Sequence, residues 1–171
     1  MEDINVLISE DNLKKRIFEI AKNIKNDYLD EEIIFVSILT GALIFTSDLI
    51  RNFDGDNIVL DVMKVSSYDG EKSTGNLIIK QDLSIDIKDK NVIILEDIVD
   101  TGRTMFCLLE YLQGKNPKSL KICTLLDKEA RREVKIKADY VGFSISNHFV
   151  VGYGLDYNDK YRNLPYIGYI K

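Results

Sequence analysis

Cysteine is scarce in this sequence. Only two occur among 171 residues, Cys107 and Cys123. Both lie inside apolar segments, and their separation has none of the paired spacing of redox or metal motifs, so we expect buried, reduced thiols. The scarcity argues against a disulfide framework and against cysteine-based catalysis.

An excess of basic residues is also missing. The chain has 23 Lys and Arg against 28 Asp and Glu, a formal net charge of -5. Binding to nucleic acid or to an anionic membrane draws most of its affinity from clustered Lys and Arg. We therefore expect neither partner, and any phosphate site must be local.

Long hydrophobic runs and a leader-like N-terminus are absent from the sequence. No apolar run approaches the length needed to span a bilayer, and the segment MEDINVLISEDNLKK is acidic, without an apolar core preceded by basic residues. We expect a cytoplasmic protein that makes no use of a membrane.

Two common nucleotide-binding motifs are missing as well. The sequence contains no G-x-x-x-x-G-K-[ST] phosphate loop, and the close glycine pair Gly152 and Gly154 lacks the third glycine of a dinucleotide fingerprint. Neither an ATPase nor a dehydrogenase is supported.

What is present indicates one α/β domain. Hydrophobic residues make up 45% of the chain and charged residues 30%, which is typical of a globular protein of this length. Strands that alternate with helices predict a largely parallel sheet covered on both faces, with ligands at the carboxyl ends of the strands. The predicted helices are one after Ser9, one after Gly41 and one over Thr104–Gln113, and the predicted strands are Ile33–Leu39, Asn57–Val65, Asn76–Lys80, Val92–Leu95, Leu120–Leu126, Tyr140–Ile145 and Phe149–Val151.

The stretch VIILEDIVDTGRT, residues 92–104, predicts an anion site at such a strand end. Gly102 permits a tight turn, and the helix that begins near Arg103 adds its positive dipole end, so that backbone N–H groups form a cradle for phosphate. Thr101 and Thr104 can donate hydroxyl hydrogen bonds to phosphate oxygens. Taken alone, the segment DTGRT, residues 100–104, also fits an ordinary helix cap followed by a turn.

Two adjacent acids directly follow the apolar part of this stretch. Glu96 and Asp97 are unsuited to bare phosphate, but they suit sugar hydroxyls or a magnesium ion. The acids and the cradle together predict a site for a sugar phosphate.

At this point the sequence resembles a known family. VIILEDIVDTGRT is similar to the phosphoribosyl pyrophosphate signature of type I phosphoribosyltransferases. LLDKEARR and ADYVGFSISNHFVVGYGLDYNDKYRNLPYIG resemble the purine-binding end of the hypoxanthine-guanine phosphoribosyltransferases, and SSYDGEKSTGNL resembles their flexible active-site loop. The similarity extends over roughly Ile34 to Ile170, and several ordered motifs carry it.

The resemblance implies a fold, a reaction and partners. The fold would be that of the type I phosphoribosyltransferases: a mostly parallel central sheet flanked by helices, with a small hood built from the chain ends. The reaction would transfer a phosphoribosyl group from phosphoribosyl pyrophosphate to a 6-oxopurine base, with Mg²⁺ as cofactor and release of pyrophosphate. The family tendency is a homodimer or homotetramer.

The resemblance also assigns roles to the acidic residues. Asp100 would be the general base that takes a proton from the purine ring. Glu96 and Asp97 would hold the ribose hydroxyls and help to fix magnesium, and Asp156 would touch the base or a second magnesium ion.

The purine would be recognised by residues further along the chain. Lys128 would donate to the six-position oxo group, which excludes adenine, Phe149 would stack on the base, and Val150 would meet the base edge through its backbone. Arg162 would contact pyrophosphate. By pattern alone, Lys128 also fits a surface lysine, and Phe149 and Val150 also fit core residues.

Two loops complete the predicted site. Thr40 and Gly41 match the short pyrophosphate loop, where the family often has Lys or Arg before the glycine; this chain therefore lacks one charge-assisted contact there. Ser67 and Tyr68, in the polar loop Ser66–Gly75, would close over pyrophosphate. The alternative for that loop is a surface hairpin with no role in the reaction.

Two other functions stay open on the sequence. The same fold also serves ligand-sensing regulators, but such proteins need a basic surface or an added nucleic-acid module, which this acidic chain does not show. Among the enzymes, xanthine remains open as the base. The single histidine, His148, is interpreted as an exposed loop residue, because Asp100 already accounts for the base.

Overall fold

Within residues 4–67 and 77–170, which the computed structural model describes, the chain forms nine β-strands and three α-helices. The elements are β1 (Ile4–Ile8), α1 (Glu10–Tyr28), β2 (Ile33–Leu39), α2 (Leu43–Ile50), β3 (Ile58–Ser67), β4 (Leu77–Gln81), β5 (Asn91–Val99), α3 (Arg103–Gln113), β6 (Ser119–Asp127), a 3₁₀ helix (Glu129–Arg131), β7 (Tyr140–Ser144), β8 (Val150–Val151) and β9 (Ile167–Ile170). The predicted alternation of strands and helices is confirmed.

The N-terminal helix α1 begins where its capping residues predict. The Ser9 side chain accepts a hydrogen bond from the Asn12 N–H at 3.3 Å, and Glu10 and Asp11 complement the positive end of the helix dipole. One face of α1 is buried, at the apolar positions of the predicted stripe: Leu13, Ile17, Ile20, Ala21 and Ile24.

Six strands form the central sheet, in the order β4-β3-β2-β5-β6-β7. Every neighbouring pair is parallel except β3 with β4, which is antiparallel. The strands alternate their side chains between two cores, so that Ile33 and Phe35 pack under α1 and α2, and Ile34 and Val36 pack under α3. The mostly parallel, two-sided sheet is therefore confirmed.

The central strand β5 is longer than predicted. The sequence placed its end at Leu95, before the acids, whereas the strand continues through Glu96 and Asp97 to Val99. Pairing with β2 stops at Leu95, but pairing with β6 continues to the register Val99↔Asp127. The hydrogen bonds to β6 hold the acids in an extended strand, while the side that β2 leaves unpaired opens toward a cleft.

The two ends of the chain meet in a second sheet. β9 pairs antiparallel with β1 and with β8, in the order β1-β9-β8, with Ile4 opposite Ile170 and Val150 opposite Tyr169. This sheet is the small hood that the resemblance implied. β1 and β9 were not predicted as strands from the local pattern.

Two further expectations can be compared with the fold. Buried thiols are expected at both cysteines, and this is confirmed for Cys123, which is fully buried in β6 and whose thiol pKa is raised by that burial. Cys107, in α3, is only partly buried. Among residues 4–67 and 77–170, no helix is long and apolar enough to cross a lipid bilayer.

Candidate active site

Two adjoining cavities lie where the central strands end. The first measures about 460 Å³ and the second about 440 Å³. Both are lined by Asp97, Ile98, Asp100 and Asp156, so the four residues form the wall between them. A ligand in one cavity therefore lies against a ligand in the other, as a two-substrate reaction requires.

The predicted cradle lies at the start of α3, in the wall of the first cavity. Gly102 has a φ of 83°, a left-handed conformation that favours glycine, and it turns the chain into the helix. The Thr101 hydroxyl oxygen accepts from the Arg103 N–H at 3.4 Å, which leaves its own hydrogen available to a ligand. Thr104 also lines the cavity, whereas the Arg103 guanidinium lies 2.5 Å from Glu133.

Glu96 and Asp97, the acid pair, also line the first cavity. Burial, and next the negative charge of Asp97, raise the pKa of Glu96 well above its ordinary range. Burial also raises the pKa of Asp97, although a hydrogen bond with Glu96 and one from the Ile98 N–H, at 2.7 Å, oppose the rise. Without a cation, the two carboxyl groups therefore retain protons more strongly than ordinary acids do.

The third predicted metal ligand has a different partner. The Asp156 carboxylate lies 2.6 Å from Nη2 of Arg162, and both residues line the first cavity. Among the described residues, no group of three or more histidines, cysteines and acids is arranged to hold a metal ion. Glu96 and Asp97 still offer adjacent oxygens of the kind that Mg²⁺ prefers, and this ion commonly takes its other ligands from water and substrate phosphates.

The loop after β2 is packed between two other segments. A Cβ atom at Gly41 would lie 1.6 Å from Oδ2 of Asp97, and one at Gly154 would lie 2.2 Å from the Gly41 carbonyl oxygen. Only glycine fits at Gly41 without moving the acid. Thr40, the residue in place of the family's basic one, is exposed.

Asp100 and Lys128 are brought together by the pairing of β5 with β6. The Lys128 N–H donates to the Val99 carbonyl oxygen at 3.0 Å, and Nζ of Lys128 lies 3.8 Å from Oδ2 of Asp100. Lys128 is only 6% exposed. Burial lowers the pKa of its ammonium group, and the Asp100 carboxylate acts in the opposite direction.

The second cavity is bordered by the segment that leads into β8. Phe149 is 55% exposed, with an edge-on contact to Tyr157 at 5.4 Å between ring centroids, so most of its ring is open to a ligand. Val150 is buried and paired within the hood. His148 stacks on Tyr169 at 4.8 Å between ring centroids, and no catalytic role is needed to explain it.

Three residues of the site were missed by the sequence interpretation. Arg131, Arg132 and Asn147 contact Asp100 or one another: Nε of Arg131 lies 3.0 Å from Asp100, Nη1 of Arg132 donates to the Asp100 carbonyl oxygen at 2.6 Å, and Nη1 of Arg131 donates to Asn147 at 3.2 Å. The segment LLDKEARR contains both arginines, but consecutive charges in a loop have no periodicity that would identify partners.

The predicted lid lies largely outside the described residues. Residues 68–76, which include Tyr68, lie outside the described part of the chain. Ser67 is described only as the last backbone position of β3. Ser66, the residue before it, lines the first cavity. The role assigned to Ser67 and Tyr68 remains a prediction.

The acid pair leads to a prediction about stability. A carboxyl group whose pKa is raised by folding stabilises the fold below its ordinary value, which is 4.5 for Glu96, and this stabilisation is lost as the pH rises through the folded pKa. We therefore expect Glu96→Gln to raise the melting temperature of the ligand-free protein at pH 8, by about 2–4 °C for each kcal/mol recovered when the buried charge and its repulsion by Asp97 are removed.

Thermal unfolding at pH 8 and pH 5, with and without Mg²⁺, tests this expectation. The gain from Glu96→Gln should shrink as the pH falls toward 5, because the raised pKa lets Glu96 of the wild type take up a proton at a higher pH than an ordinary glutamate does. Exposed Glu129→Gln is the control and should change the melting temperature little at either pH. A lower melting temperature of Glu96→Gln at pH 8 would contradict the argument.

Comparison with known proteins places this site in context. Residues 8–158 match the sequence profile of the family described as phosphoribosyl transferase domain. The chain is 43% identical to the hypoxanthine-guanine-xanthine phosphoribosyltransferase of Tritrichomonas foetus, with 100% of this chain and 94% of the relative covered. It is 47% identical to the hypoxanthine-guanine phosphoribosyltransferase of Staphylococcus epidermidis, with 98% and 93% covered.

Solved structures resemble the chain equally well. A hypoxanthine-guanine phosphoribosyltransferase from Bacillus anthracis superposes with a TM-score of 0.95 at 41% identity, with 100% of both chains covered. A hypoxanthine phosphoribosyltransferase from Staphylococcus aureus superposes with a TM-score of 0.94 at 45% identity, with 98% of this chain and 91% of that chain covered. Because 98–100% of this chain is covered, the likeness includes the strand ends that line both cavities and Val150 of the hood, which lines the second.

Proposed function

The chain belongs to the hypoxanthine-guanine phosphoribosyltransferases, and we propose that its two cavities hold the two substrates of that family's reaction. The enzyme transfers the phosphoribosyl group of phosphoribosyl pyrophosphate to a 6-oxopurine base in purine salvage. The products are pyrophosphate and a nucleoside monophosphate, IMP from hypoxanthine or GMP from guanine. One observation supports the arrangement above all: Asp100 lines both cavities, at the junction where the new bond would form.

The first cavity suits phosphoribosyl pyrophosphate. The N-terminus of α3, with Thr101, Gly102 and Thr104, would hold the 5′-phosphate, because backbone N–H groups, hydroxyls and the helix dipole all favour an anion. Glu96 and Asp97 would accept hydrogen bonds from the ribose hydroxyls. Arg103, whose side chain pairs with Glu133, would contribute to phosphate binding chiefly through its backbone.

The pyrophosphate would lie at the other end of this cavity. Gly41 and Arg162 line this cavity, and we assign to pyrophosphate the backbone of Gly41 and of its neighbour Thr40, together with the guanidinium of Arg162. Ser67 and Tyr68 would add hydroxyl donors from the loop that follows β3.

Mg²⁺ would be held by Glu96 and Asp97, with Asp156 near a second ion, and the remaining ligands would come from water and from pyrophosphate oxygens. When bound, the ion supplies positive charge that stabilises the departing pyrophosphate. Burial raises the pKa of both acids, and the negative charge of Asp97 raises that of Glu96 further, so a bound cation would favour the ionised pair.

The second cavity suits the purine. The Lys128 ammonium would donate to the six-position oxo group, and adenine, which presents an amine there, would leave a buried donor unpaired. The exposed ring of Phe149 would stack on the base, and the Val150 backbone would meet its edge.

The chemical step assigned to this chain is a proton transfer. As a purine ring nitrogen bonds to the anomeric carbon and the bond from that carbon to a pyrophosphate oxygen breaks, the ring N–H proton would move to the Asp100 carboxylate. The cradle and the acid pair would hold the sugar in line, and the Phe149 ring would hold the base flat against it.

Three further properties are part of the proposal. The chain would act as one phosphoribosyltransferase domain over residues 1–171, as a homodimer or homotetramer, in the cytoplasm. The family match over residues 8–158 supports the single domain, and the tendency of the family supports the oligomer. Equilibrium sedimentation of the purified protein would determine its oligomeric state.

A panel assay tests the proposed function. Hypoxanthine, guanine, xanthine and adenine are each supplied with phosphoribosyl pyrophosphate and Mg²⁺, and pyrophosphate release is followed. Conversion of at least one 6-oxopurine, with adenine unused, is expected. Xanthine belongs in the panel because the relative from Tritrichomonas foetus is named for all three oxopurines. An enzyme that converts no base would overturn the proposal.

Lys128→Ala is expected to weaken the binding of the purine base and to leave the binding of the other substrate nearly unchanged. Loss of the donor to the oxo group should raise the KM for hypoxanthine by about 10- to 100-fold and narrow the preference over adenine, while the KM for phosphoribosyl pyrophosphate changes little. Steady-state kinetics with each substrate varied in turn measure both effects. The exposed Lys135→Ala serves as the control. An unchanged KM for hypoxanthine would refute the role of Lys128.

A further inference from the structure

Two consecutive arginines contact Asp100, one at its main chain and the other at its side chain. Both belong to the short turn after Lys128, at the 3₁₀ helix Glu129–Arg131. Nη1 of Arg132 donates to the Asp100 carbonyl oxygen at 2.6 Å, and the same guanidinium pairs with the Asp127 carboxylate. Arg132 thereby fixes the main chain at Asp100.

Arg131 instead contacts the side chain of Asp100. Its Nε lies 3.0 Å from Oδ1 of Asp100, and its Nη1 donates to the Asn147 side-chain oxygen at 3.2 Å. Asn147 lies two residues before Phe149, in the segment that borders the second cavity. One guanidinium therefore links the acid at the junction of the cavities to the segment that bears the exposed aromatic ring.

The two oxygens of Asp100 are not equivalent. Oδ1 is buried, and within the described part of the chain no donor makes an aligned hydrogen bond to it, although Arg131 supplies a charge 3.0 Å away. Oδ2 faces the Lys128 ammonium at 3.8 Å. The Asp100 side chain is 36% exposed, so its exposure arises from atoms other than Oδ1. An incoming base can thus reach the Oδ2 side more readily than the Oδ1 side.

We propose that Arg131 is a positioning residue for the proton transfer: its charge holds Oδ1 of Asp100, and this orients Oδ2 toward the ring N–H of the base. The inference rests on the proposed function. Arg131 itself would touch neither the sugar nor the transferred proton. As the ring nitrogen bonds to the anomeric carbon and pyrophosphate departs with the electrons of the broken bond, the proton passes to Oδ2, and Asn147 keeps the guanidinium in place.

The burial of the two arginines separates this role from a structural one. The Arg132 side chain is 12% exposed and pairs with an equally buried Asp127, so its removal would leave an uncompensated buried carboxylate. The Arg131 side chain is 44% exposed, and its removal exposes Asp100 to water rather than stranding a buried charge. Loss of Arg132 should therefore destabilise the protein, whereas loss of Arg131 should leave its melting temperature within about 2 °C of the wild type.

The first test is a split between kcat and KM. With hypoxanthine, phosphoribosyl pyrophosphate and Mg²⁺, Arg131→Met should lower kcat by about 10- to 100-fold and leave both KM values within about twofold. Arg131→Lys should recover part of the loss, because an ammonium supplies the charge but not the fork that also reaches Asn147. The exposed Lys137→Met removes one charge from the same segment and should behave as wild type.

The second test is a double-mutant cycle with Asp100→Asn. If Arg131 acts through Asp100, adding Arg131→Met to Asp100→Asn should lower kcat by less than about threefold beyond the single variant. The amide has no proton-accepting oxygen for Arg131 to orient. An equal loss in both backgrounds would overturn the proposal, and so would a raised KM for hypoxanthine at unchanged kcat or a melting temperature lowered as in Arg132→Met.

The wild-type assay separates the two proposals. A wild-type protein that converts no base would refute the proposed function and this inference with it. An active wild type with an equally active Arg131→Met would refute the inference alone.

Discussion

Asp100→Asn is expected to lower kcat by roughly 10²–10⁴ while the KM values for both substrates stay close to those of the wild type. The amide has nearly the shape of the carboxylate, so the base and the sugar phosphate still fit the two cavities that this residue separates. It cannot accept the ring proton. The ion pairs with Arg131 and Lys128 also lose their negative partner, which leaves two cations beside the purine site.

Two controls make this result interpretable. Asp56 is exposed and lines neither cavity, so Asp56→Asn should leave kcat unchanged. Isothermal titration of Asp100→Asn with phosphoribosyl pyrophosphate and Mg²⁺ should give near-normal affinity, because the cradle and the acid pair are intact. A variant with the kcat of the wild type would remove Asp100 from the mechanism, and lost binding would make its role structural.

The closeness of Asp100 and Lys128 could be anticipated from the sequence. Both residues follow apolar strands, and the carboxyl ends of parallel strands meet at one edge of a sheet. The structure supplies the register, Val99↔Asp127, that makes them direct neighbours. The local pattern predicted the existence of the strands well, because continuous apolar runs bounded by turns are typical of a buried parallel sheet.

The hood and the arginine contacts could not be predicted from local pattern. β1 and β9 are short, and Ile4 pairs with Ile170 across nearly the whole chain, so neither strand carries a nearby signal for its partner. The resemblance to a family, not periodicity, led to the hood. Arg131 and Arg132 are alike in sequence, yet one contacts a side chain and the other a carbonyl oxygen. Only the turn of the 3₁₀ helix distinguishes them.

Gly41→Ala is expected to lower kcat/KM for phosphoribosyl pyrophosphate by roughly 10²-fold with little loss of stability. The added methyl group would lie 1.6 Å from Oδ2 of Asp97, which is an impossible contact. Gly154 packs closely against the other side of this loop, since a Cβ there would approach the Gly41 carbonyl oxygen to 2.2 Å, so we expect the Asp97 side chain rather than the loop to move. Its carboxylate would rotate.

That rotation explains why the fold should survive and the activity should not. Asp97 would give up the partly buried hydrogen bond that its Oδ1 accepts from the Ile98 N–H at 2.7 Å, a loss of about 1 kcal/mol. In its new position the carboxylate no longer lies beside Glu96, where we place the ribose hydroxyls and magnesium. A displacement of about 1 Å at reacting groups is sufficient for a loss of this size.

The measurement compares Gly41→Ala with Gly114→Ala, a second glycine-to-alanine change at the end of α3. A Cβ at Gly114 would meet the Tyr111 carbonyl oxygen at 3.3 Å and the Glu110 carbonyl oxygen at 3.7 Å, and neither residue lines either cavity, so this control should keep full activity. For Gly41→Ala, the KM for phosphoribosyl pyrophosphate and the Mg²⁺ concentration at half-maximal rate should both rise, while the KM for hypoxanthine changes less because Lys128 and Phe149 are untouched. Wild-type kcat/KM in Gly41→Ala would show that Asp97 moves without consequence, and it would withdraw this acid from the proposed sugar and magnesium site.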